Sequence, residues 1–267
     1  MQSWFTVQQM ADQIYAIHDN GNVMIYLIIG SRKALLVDTG WGIGDLGALV
    51  RTITDLPLEV VNTHGHPDHV GGGYQFPLIH IHETDWEILN GCFTEEYRKM
   101  DLSHLPMESY PPGFDPEQWV KAKLNRVIPL SEGHCFDLGN KRLEVLSIPG
   151  HTPGSIGLLD REQGILFSGD SVIEGTIWMH LDHSLSLHTF LQSLKRITGR
   201  SAPLQMILPG HAHIPAAPGV IEELIAGIEA ILDGRLRGEA HHTFAGDGLL
   251  CEFRSCGIVY NPEKLCD

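Results

Sequence analysis

Thr63-His64-Gly65-His66-Pro67-Asp68-His69 places three histidines and one carboxylate within six consecutive positions. Neutral imidazoles and ionised carboxylates are the ligand types that suit zinc and related divalent metals. Four of them on one short turn exceed what a single tetrahedral site can use while leaving room for substrate. The pattern points to two metals side by side. Three later segments could complete such a pair: Pro149-Gly150-His151, Ser168-Gly169-Asp170 and Pro209-Gly210-His211. Each presents its candidate ligand beside a glycine and just after an apolar run, as expected at the end of a buried strand. Most of the 16 histidines in the chain need no such role. These, however, repeat one placement four separate times, which ordinary core or surface histidines do not explain.

On these residues the chain resembles the metallo-β-lactamase-fold hydrolases, over nearly its whole length. The shared motifs are His64-x-His66-x-Asp68-His69, then His151, Asp170 and His211 in the family's order. Leu35-Leu36-Val37-Asp38-Thr39-Gly40 also matches the strand and turn that precede the metal motif there. The resemblance implies an α/β four-layer αββα sandwich of the metallo-β-lactamase type. It implies that His64, His66 and His151 hold a first metal, that Asp68, His69 and His211 hold a second, and that Asp170 bridges both. Asp38 would orient a ligand rather than touch metal. Zinc suits the donor set best, and iron or manganese would accept the same ligands.

Two cations of this kind lower the pKa of a bridging water towards neutrality. The implied activity is hydrolysis by attack of that hydroxide on a carbonyl carbon, with Asp68 orienting it and passing a proton to the leaving group. No Ser or Cys nucleophile is required, and Gly154-Ser155-Ile156-Gly157 is not a G-x-S-x-G elbow. A β-lactamase is disfavoured, because the position of Asp170 is a cysteine or serine in the related β-lactamases. Lactonases of N-acyl homoserine lactones share all seven ligands but carry a tyrosine shortly after the bridging aspartate. Here Ser171-Val172-Ile173-Glu174 follows. Glutathione thioesterases of the glyoxalase II type share the ligands too, and their C-terminal Arg/Lys pattern is not evident around Arg235 and Arg237.

Ester or lactone hydrolysis is the leading expectation and thioester hydrolysis its close alternative. A nuclease or phosphodiesterase on the same fold and a mononuclear-iron, persulfide-oxidising relative are the readings from other classes. Relatives with a di-iron redox centre replace a motif histidine by glutamate, whereas His66 is intact.

Charge bears on these choices. Eighteen Lys plus Arg against 33 Asp plus Glu give a formal charge of −15. Such a surface repels phosphate backbones, so nucleic acid is not an expected partner. A small molecule is. No run of transmembrane length and no basic-then-apolar leader is present, so the expectation is a cytoplasmic protein without membrane association, with homodimerisation open. Cys92, Cys135, Cys251, Cys256 and Cys266 are odd in number and lack ligand spacing, which favours free thiols.

The elements that must position the ligands follow from pattern, and the whole chain is expected to form one domain. Val23 to Ile29 and Ala34 to Val37 read as hairpin strands, and Glu59 to Asn62 as the strand that delivers the metal turn. Asp45 to Thr54 reads as an amphipathic helix ending before Pro57. Leu78 to Ile81 is a further strand, with His80 and His82 in alternation. Arg142 to Ile148 leads to His151, the hairpin of Ser155 to Leu159 and Gly164 to Phe167 leads to Asp170, and Gln205 to Leu208 leads to His211. Leu187 to Ile197 and Val220 to Leu232 are helices, and Gly248 to Tyr260 reads as one or two edge strands. Between the halves, Thr84 to Asn125 holds Pro106, Pro111, Pro112 and Pro116 among aromatics that include Tyr97 and Tyr110. It is read as a partly helical insertion forming a lid over the metals or a subunit interface. Trp178, Met179, His180 and His183 follow the bridging aspartate and are the remaining candidates for a pocket.

Overall fold

The chain opens with a meander of β1 (Phe5–Ala11), β2 (Ile14–Asp19), β3 (Val23–Ile29) and β4 (Ala34–Val37), as seen in a computed structural model that describes residues 4–20, 23–104, 110–200, 203–211 and 214–266. β3 and β4 are buried almost throughout, because their Val, Ile, Leu and Tyr side chains are covered on both faces. α1 (Leu46–Ile53) buries Leu46 and Val50, and the Asp45 carboxylate accepts from Ala48 N at 2.7 Å. That N-cap stabilises the helix by ~1 kcal/mol. β5 (Leu58–Val61) then delivers α2 (Pro67–Val70), the single turn that carries the metal motif.

β6 (Ile79–His82) is followed by α3 (Trp86–Cys92), α4 (Glu95–His104), α5 (Pro116–Lys121) and β7 (Val127–Leu130). The described part of the insertion is therefore mostly helical, and Pro106 lies outside the described residues. The seven strands form one sheet in chain order, antiparallel from β1 to β4 and parallel from β4 to β7. Parallel order is why β5 ends on the same edge as β4, so that the Asp38 turn and the metal turn lie side by side. These elements, with residues 136–142, form the first of two compact units.

The chain enters the second unit through β8 (Cys135–Asp137), which straddles the boundary. β9 (Arg142–Ser147), β10 (Ile156–Asp160), β11 (Ile165–Gly169), β12 (Thr176–Met179), α6 (Leu187–Arg200), β13 (Met206–Pro209) and α7 (Val220–Leu232) follow. β14 (Glu239–Thr243), β15 (Gly246–Glu252) and β16 (Gly257–Tyr260) complete it. One sheet runs β13-β11-β10-β9, with β11 and β13 parallel, so that Asp170 and His211 leave its same edge. α6 and α7 bury Leu187, Phe190, Leu194, Val220, Leu224 and Ile228 in one core at helical spacing.

A second sheet has the order β12-β16-β15-β14. One expectation is corrected here. β15 and β16 are interior strands, not edges, because β12 pairs in parallel with β16 and β14 covers β15. The segment around Trp178, left without an element by the sequence pattern, is a strand. Among the described residues no helix is long and apolar enough to cross a membrane.

Candidate metal centre

The metal turn is built around Asp38. This residue is 2% exposed and adopts φ +64°, a left-handed backbone that non-glycine residues rarely adopt. The turn aims its carboxylate at the next loop. Thr63 N donates to Oδ1 at 2.7 Å, the Thr63 hydroxyl donates to Oδ2 at 2.8 Å, and His69 Nδ1 lies 2.8 Å from Oδ2. The His69 carbonyl is held as well, by Asn62 Nδ2 at 2.7 Å and by the backbone and hydroxyl of Thr39 at 2.8 and 2.9 Å.

These contacts fix tautomers. An ionised carboxylate only accepts, so His69 carries a proton on Nδ1, and in the neutral imidazole Nε2 is then the lone pair. The single hydroxyl proton of Thr63 goes to Asp38, so Thr63 Oγ1 accepts from His64 Nδ1 at 3.0 Å. His64 Nε2 is thereby also a lone pair, 3.0 Å from His66 Nδ1. Within this unit His64, His66, Asp68 and His69 thus lie together, with His69 Nε2 3.7 Å from Asp68 Oδ2.

The insertion grips this turn from behind. Gly65 N donates to Asp85 Oδ2 at 2.8 Å, and the Cys92 thiol donates to the Gly65 carbonyl at 3.3 Å. Burial pushes the Cys92 thiol well up, so it remains a thiol. Arg98, 1% exposed, donates to the carbonyls of Trp119 at 2.5 Å, Gly71 at 3.0 Å and Cys92 at 3.4 Å. Its guanidinium also stacks on Phe93, Trp119 and Tyr74. Gly71 caps α2, so one buried arginine ties α4 and α5 to the helix bearing Asp68 and His69. Burial first, and then the Asp68 charge, push nearby Asp101 up to about 7 against the opposing pull of Arg98.

Tyr97 is half-buried beside Arg98, and burial raises its phenol pKa. Tyr110 is exposed and stacks on Phe114 at 4.7 Å. His80, on β6, bonds through Nδ1 to the Val60 carbonyl at 3.0 Å.

The second unit repeats the device with backbone groups. His151 Nδ1 lies 2.7 Å from the Trp178 carbonyl, which must accept, so Nε2 is the lone pair. The Ser184 hydroxyl donates to the His151 carbonyl at 2.9 Å, and Lys264 Nζ donates to the carbonyls of Leu181, Asp182 and Ser184. Gly150 must be glycine for space, since a Cβ there would lie 2.4 Å from the Phe190 ring. Asp170 Oδ2 is 3.6 Å from His151 Nε2 and 3.4 Å from His211 Nε2.

Each unit thus sets imidazole nitrogens against a carboxylate at 3.4–3.7 Å. For neutral His69 and His151 the facing nitrogen carries a lone pair turned towards a carboxylate, an arrangement that a cation between them would satisfy. Two ligands on one tetrahedral zinc, with bonds of about 2.0–2.1 Å, lie about 3.4 Å apart. The donors present therefore fit divalent metal.

The pocket candidates divide. Met179 is 1% exposed in the core with Leu187 and Phe190, so the expectation that it lines a pocket is corrected. His180 is 5% exposed and bonds through Nε2 to Thr243 Oγ1 at 2.9 Å, which corrects its assignment to a substrate head group. His183 is half-buried, and burial with the charges of His151 and Lys264 lowers its pKa to about 4. Trp178 keeps its ring partly exposed while its carbonyl holds His151. The supporting roles of Thr63, Asp85, Arg98 and the Trp178 carbonyl were not anticipated from sequence, because no motif assigns them.

Comparison with known proteins agrees with this chemistry. The acyl-coenzyme A thioesterase MBLAC2 of Gallus gallus is 31% identical over 227 residues, covering 78% of this chain and 80% of that protein. The hydroxyacylglutathione hydrolase GloC of Haemophilus influenzae is 30% identical over 155 residues, 55% of this chain and 64% of its own. The metallo-beta-lactamase family protein TTHA1429 of Thermus thermophilus superposes with a TM-score of 0.61 at 24% identity, over 85% of this chain and 82% of that one. TTHA1623, solved in a di-iron-bound form, gives 0.56 at 25% identity, over 76% and 93%. The family model described as the metallo-beta-lactamase superfamily matches residues 18–179, and with the relatives above it shows that the chain belongs to that superfamily.

Proposed function

We propose that this metallohydrolase cleaves thioesters of an acyl group, using a dinuclear centre held by His64, His66 and His151, by Asp68, His69 and His211, and by a shared Asp170. The single observation that carries the metal reading is the pair of lone-pair-to-carboxylate contacts, His69 Nε2 to Asp68 and His151 Nε2 to Asp170. Two divalent ions bound there, zinc being the simplest choice, would supply Lewis acidity and a water that ionises near neutral pH.

The protein's own groups do the rest. Asp38, Thr63 and the Trp178 carbonyl hold the outer protons of His69, His64 and His151, which keeps the inner nitrogens basic. Asp68, with 19% of its side chain exposed, holds the proton released by the attacking water. Hydrolysis adds the water oxygen to the acyl carbon, breaks the carbon–sulfur bond and gives a thiol and a carboxylic acid, which loses its proton to solvent. Asp68 returns its proton to the departing sulfur. Similarity to a thioesterase over 78% of the chain supports thioesters over the esters and lactones expected from sequence.

The test is elemental analysis of protein purified without added metal, with hydrolysis of an acyl-coenzyme A, S-lactoylglutathione, a p-nitrophenyl ester and an acyl-homoserine lactone. About two metals per chain and fastest cleavage of a thioester are expected. Lactone or ester cleavage with inert thioesters would overturn the substrate reading. One iron per chain with no hydrolysis would overturn the mechanism.

A further inference from the structure

Phe244 is the most exposed large apolar side chain among the described residues, at 87%. It sits at the tip of the hairpin formed by β14 and β15. Its ring packs on Trp178 with centroids 5.1 Å apart and planes at 61°. Trp178 in turn packs edge-on against His180 at 5.4 Å.

The hairpin tip is held in place. Thr243 Oγ1 donates to the Gly246 carbonyl at 2.9 Å, so it accepts from His180 Nε2, and Ala245 N closes the turn on the same oxygen. The aromatic pair therefore stands on a fixed turn. Trp178 also presents its carbonyl to His151 Nδ1, so one member of the pair itself supports the candidate centre.

We propose that Trp178 and Phe244 form the wall on which the apolar acyl group of the substrate lies. The proposal deepens the thioesterase reading and rests on it. An acyl chain suits the patch better than a protein partner does. The exposed apolar surface is two rings wide and flanked by His241, His242 and Asp247, with His242 Nδ1 2.6 Å from Asp247 Oδ1. Stable protein interfaces need about 800 Å² on each side, whereas a straight chain needs only a narrow apolar strip beside the reacting carbonyl. Edge-to-face rings also leave Phe244 free to pivot over a chain without losing its contact with Trp178.

The experiment compares the wild type, Phe244→Ala and Trp178→Ala on acetyl-, octanoyl- and dodecanoyl-coenzyme A. Each methylene that meets the wall should raise kcat/KM about fourfold, the equivalent of ~0.8 kcal/mol. In both variants the dodecanoyl-to-acetyl ratio of kcat/KM should fall about tenfold or more, mainly through KM. Metal content should stay at the wild-type level in Trp178→Ala, because the carbonyl rather than the ring holds His151.

Calorimetric binding of dodecanoate and butyrate to the three proteins reads the wall without turnover. If the wild type cleaves no thioester, the thioesterase reading fails. The wall then stands if dodecanoate binds at least tenfold more tightly than butyrate and Phe244→Ala removes the difference. Equal chain-length ratios in all three proteins, with equal binding, overturn the wall. A dimer that Phe244→Ala turns into a monomer with no chain-length effect also overturns it, in favour of a contact with a second copy.

Discussion

Asp38→Asn isolates the control of the His69 tautomer. Asparagine is among the residues best suited to the left-handed backbone at φ +64°, so the turn itself is not strained by the change. The amide oxygen can keep the bond from Thr63 N at 2.7 Å. The amide nitrogen then occupies the place of Oδ2, where it meets two donors, His69 Nδ1 and the Thr63 hydroxyl, both at 2.8 Å. His69 relieves the clash by moving its proton to Nε2, which removes the lone pair that faces Asp68.

Hydrogen bonds to a charged acceptor contribute about 1.5–3 kcal/mol each. Two are lost, so metal-free protein should lose on the order of 3 kcal/mol in a urea titration. Metal affinity, read by competition with a chromophoric chelator, should fall about 10–100-fold, or ~1.4–2.7 kcal/mol. Nitrogen-15 spectra of the histidine side chains should show the His69 proton on Nε2. Unchanged affinity with the proton moved would refute the claim that this lone pair binds metal. Lost affinity with the proton still on Nδ1 would refute the tautomer argument.

Asp68→Asn should keep near-normal metal content and lose most hydrolysis, whereas Asp170→Ala should lose metal and activity together; elemental analysis beside steady-state rates separates them. Arg98→Met leaves the Gly71, Trp119 and Cys92 carbonyls without their buried donor, and should cost ~3 kcal/mol in urea unfolding. Arg98→Lys should rescue little, because one ammonium cannot reproduce a planar fork.

Asp19, 1% exposed, is pushed up to about 6 chiefly by burial, against the bonds from Trp41 N and Trp4 Nε1. The folded protein therefore holds this proton more tightly than the unfolded chain. The resulting stability is present below about pH 4 and is lost as pH rises to about 6, a loss of ~3 kcal/mol. Urea midpoints of wild type and Asp19→Asn should diverge across that window, and a constant difference would exclude the assignment.

How much was legible in the sequence follows from distance along the chain. The ligands His64, His66, Asp68 and His69 are local, and the strands that deliver them are short apolar runs whose boundaries are right to within about one residue. β1 escaped notice because it is an edge strand with Thr6, Gln8 and Gln9 largely exposed, so it lacks an apolar alternation. β12 is not among the strands expected from pattern because its four residues become a strand only by pairing with Gly257–Tyr260, about eighty positions later. The support of His151 was invisible in principle. Its acceptor is a backbone carbonyl, and every residue type has one. Met179 and Phe244 show the same limit in reverse: apolar residues of one sheet and its hairpin turn, one filling the core and one standing in solvent, with nothing in their identity to tell them apart.

The protein partners of the ligands also decide what metal removal should do. In small zinc domains the metal itself organises the ligands, and its loss unfolds the chain. Here the outer nitrogens of His64, His69 and His151 are already engaged by Thr63, Asp38 and the Trp178 carbonyl, each within its own unit and each buried or nearly so. The strands that lead to these histidines pack into apolar cores that contain no ligand. Chelation should therefore leave the far-ultraviolet dichroism intact and lower the melting temperature only by mass action, about 4 kcal/mol for a site held at a thousandfold its dissociation constant. Nitrogen-15 spectra of the metal-free protein should still show His69 and His151 protonated on Nδ1. Collapse of the dichroism on chelation would mean that the metals build the ligand geometry, and that the hydrogen bonds seen around Asp38 and Trp178 are its consequence rather than its cause.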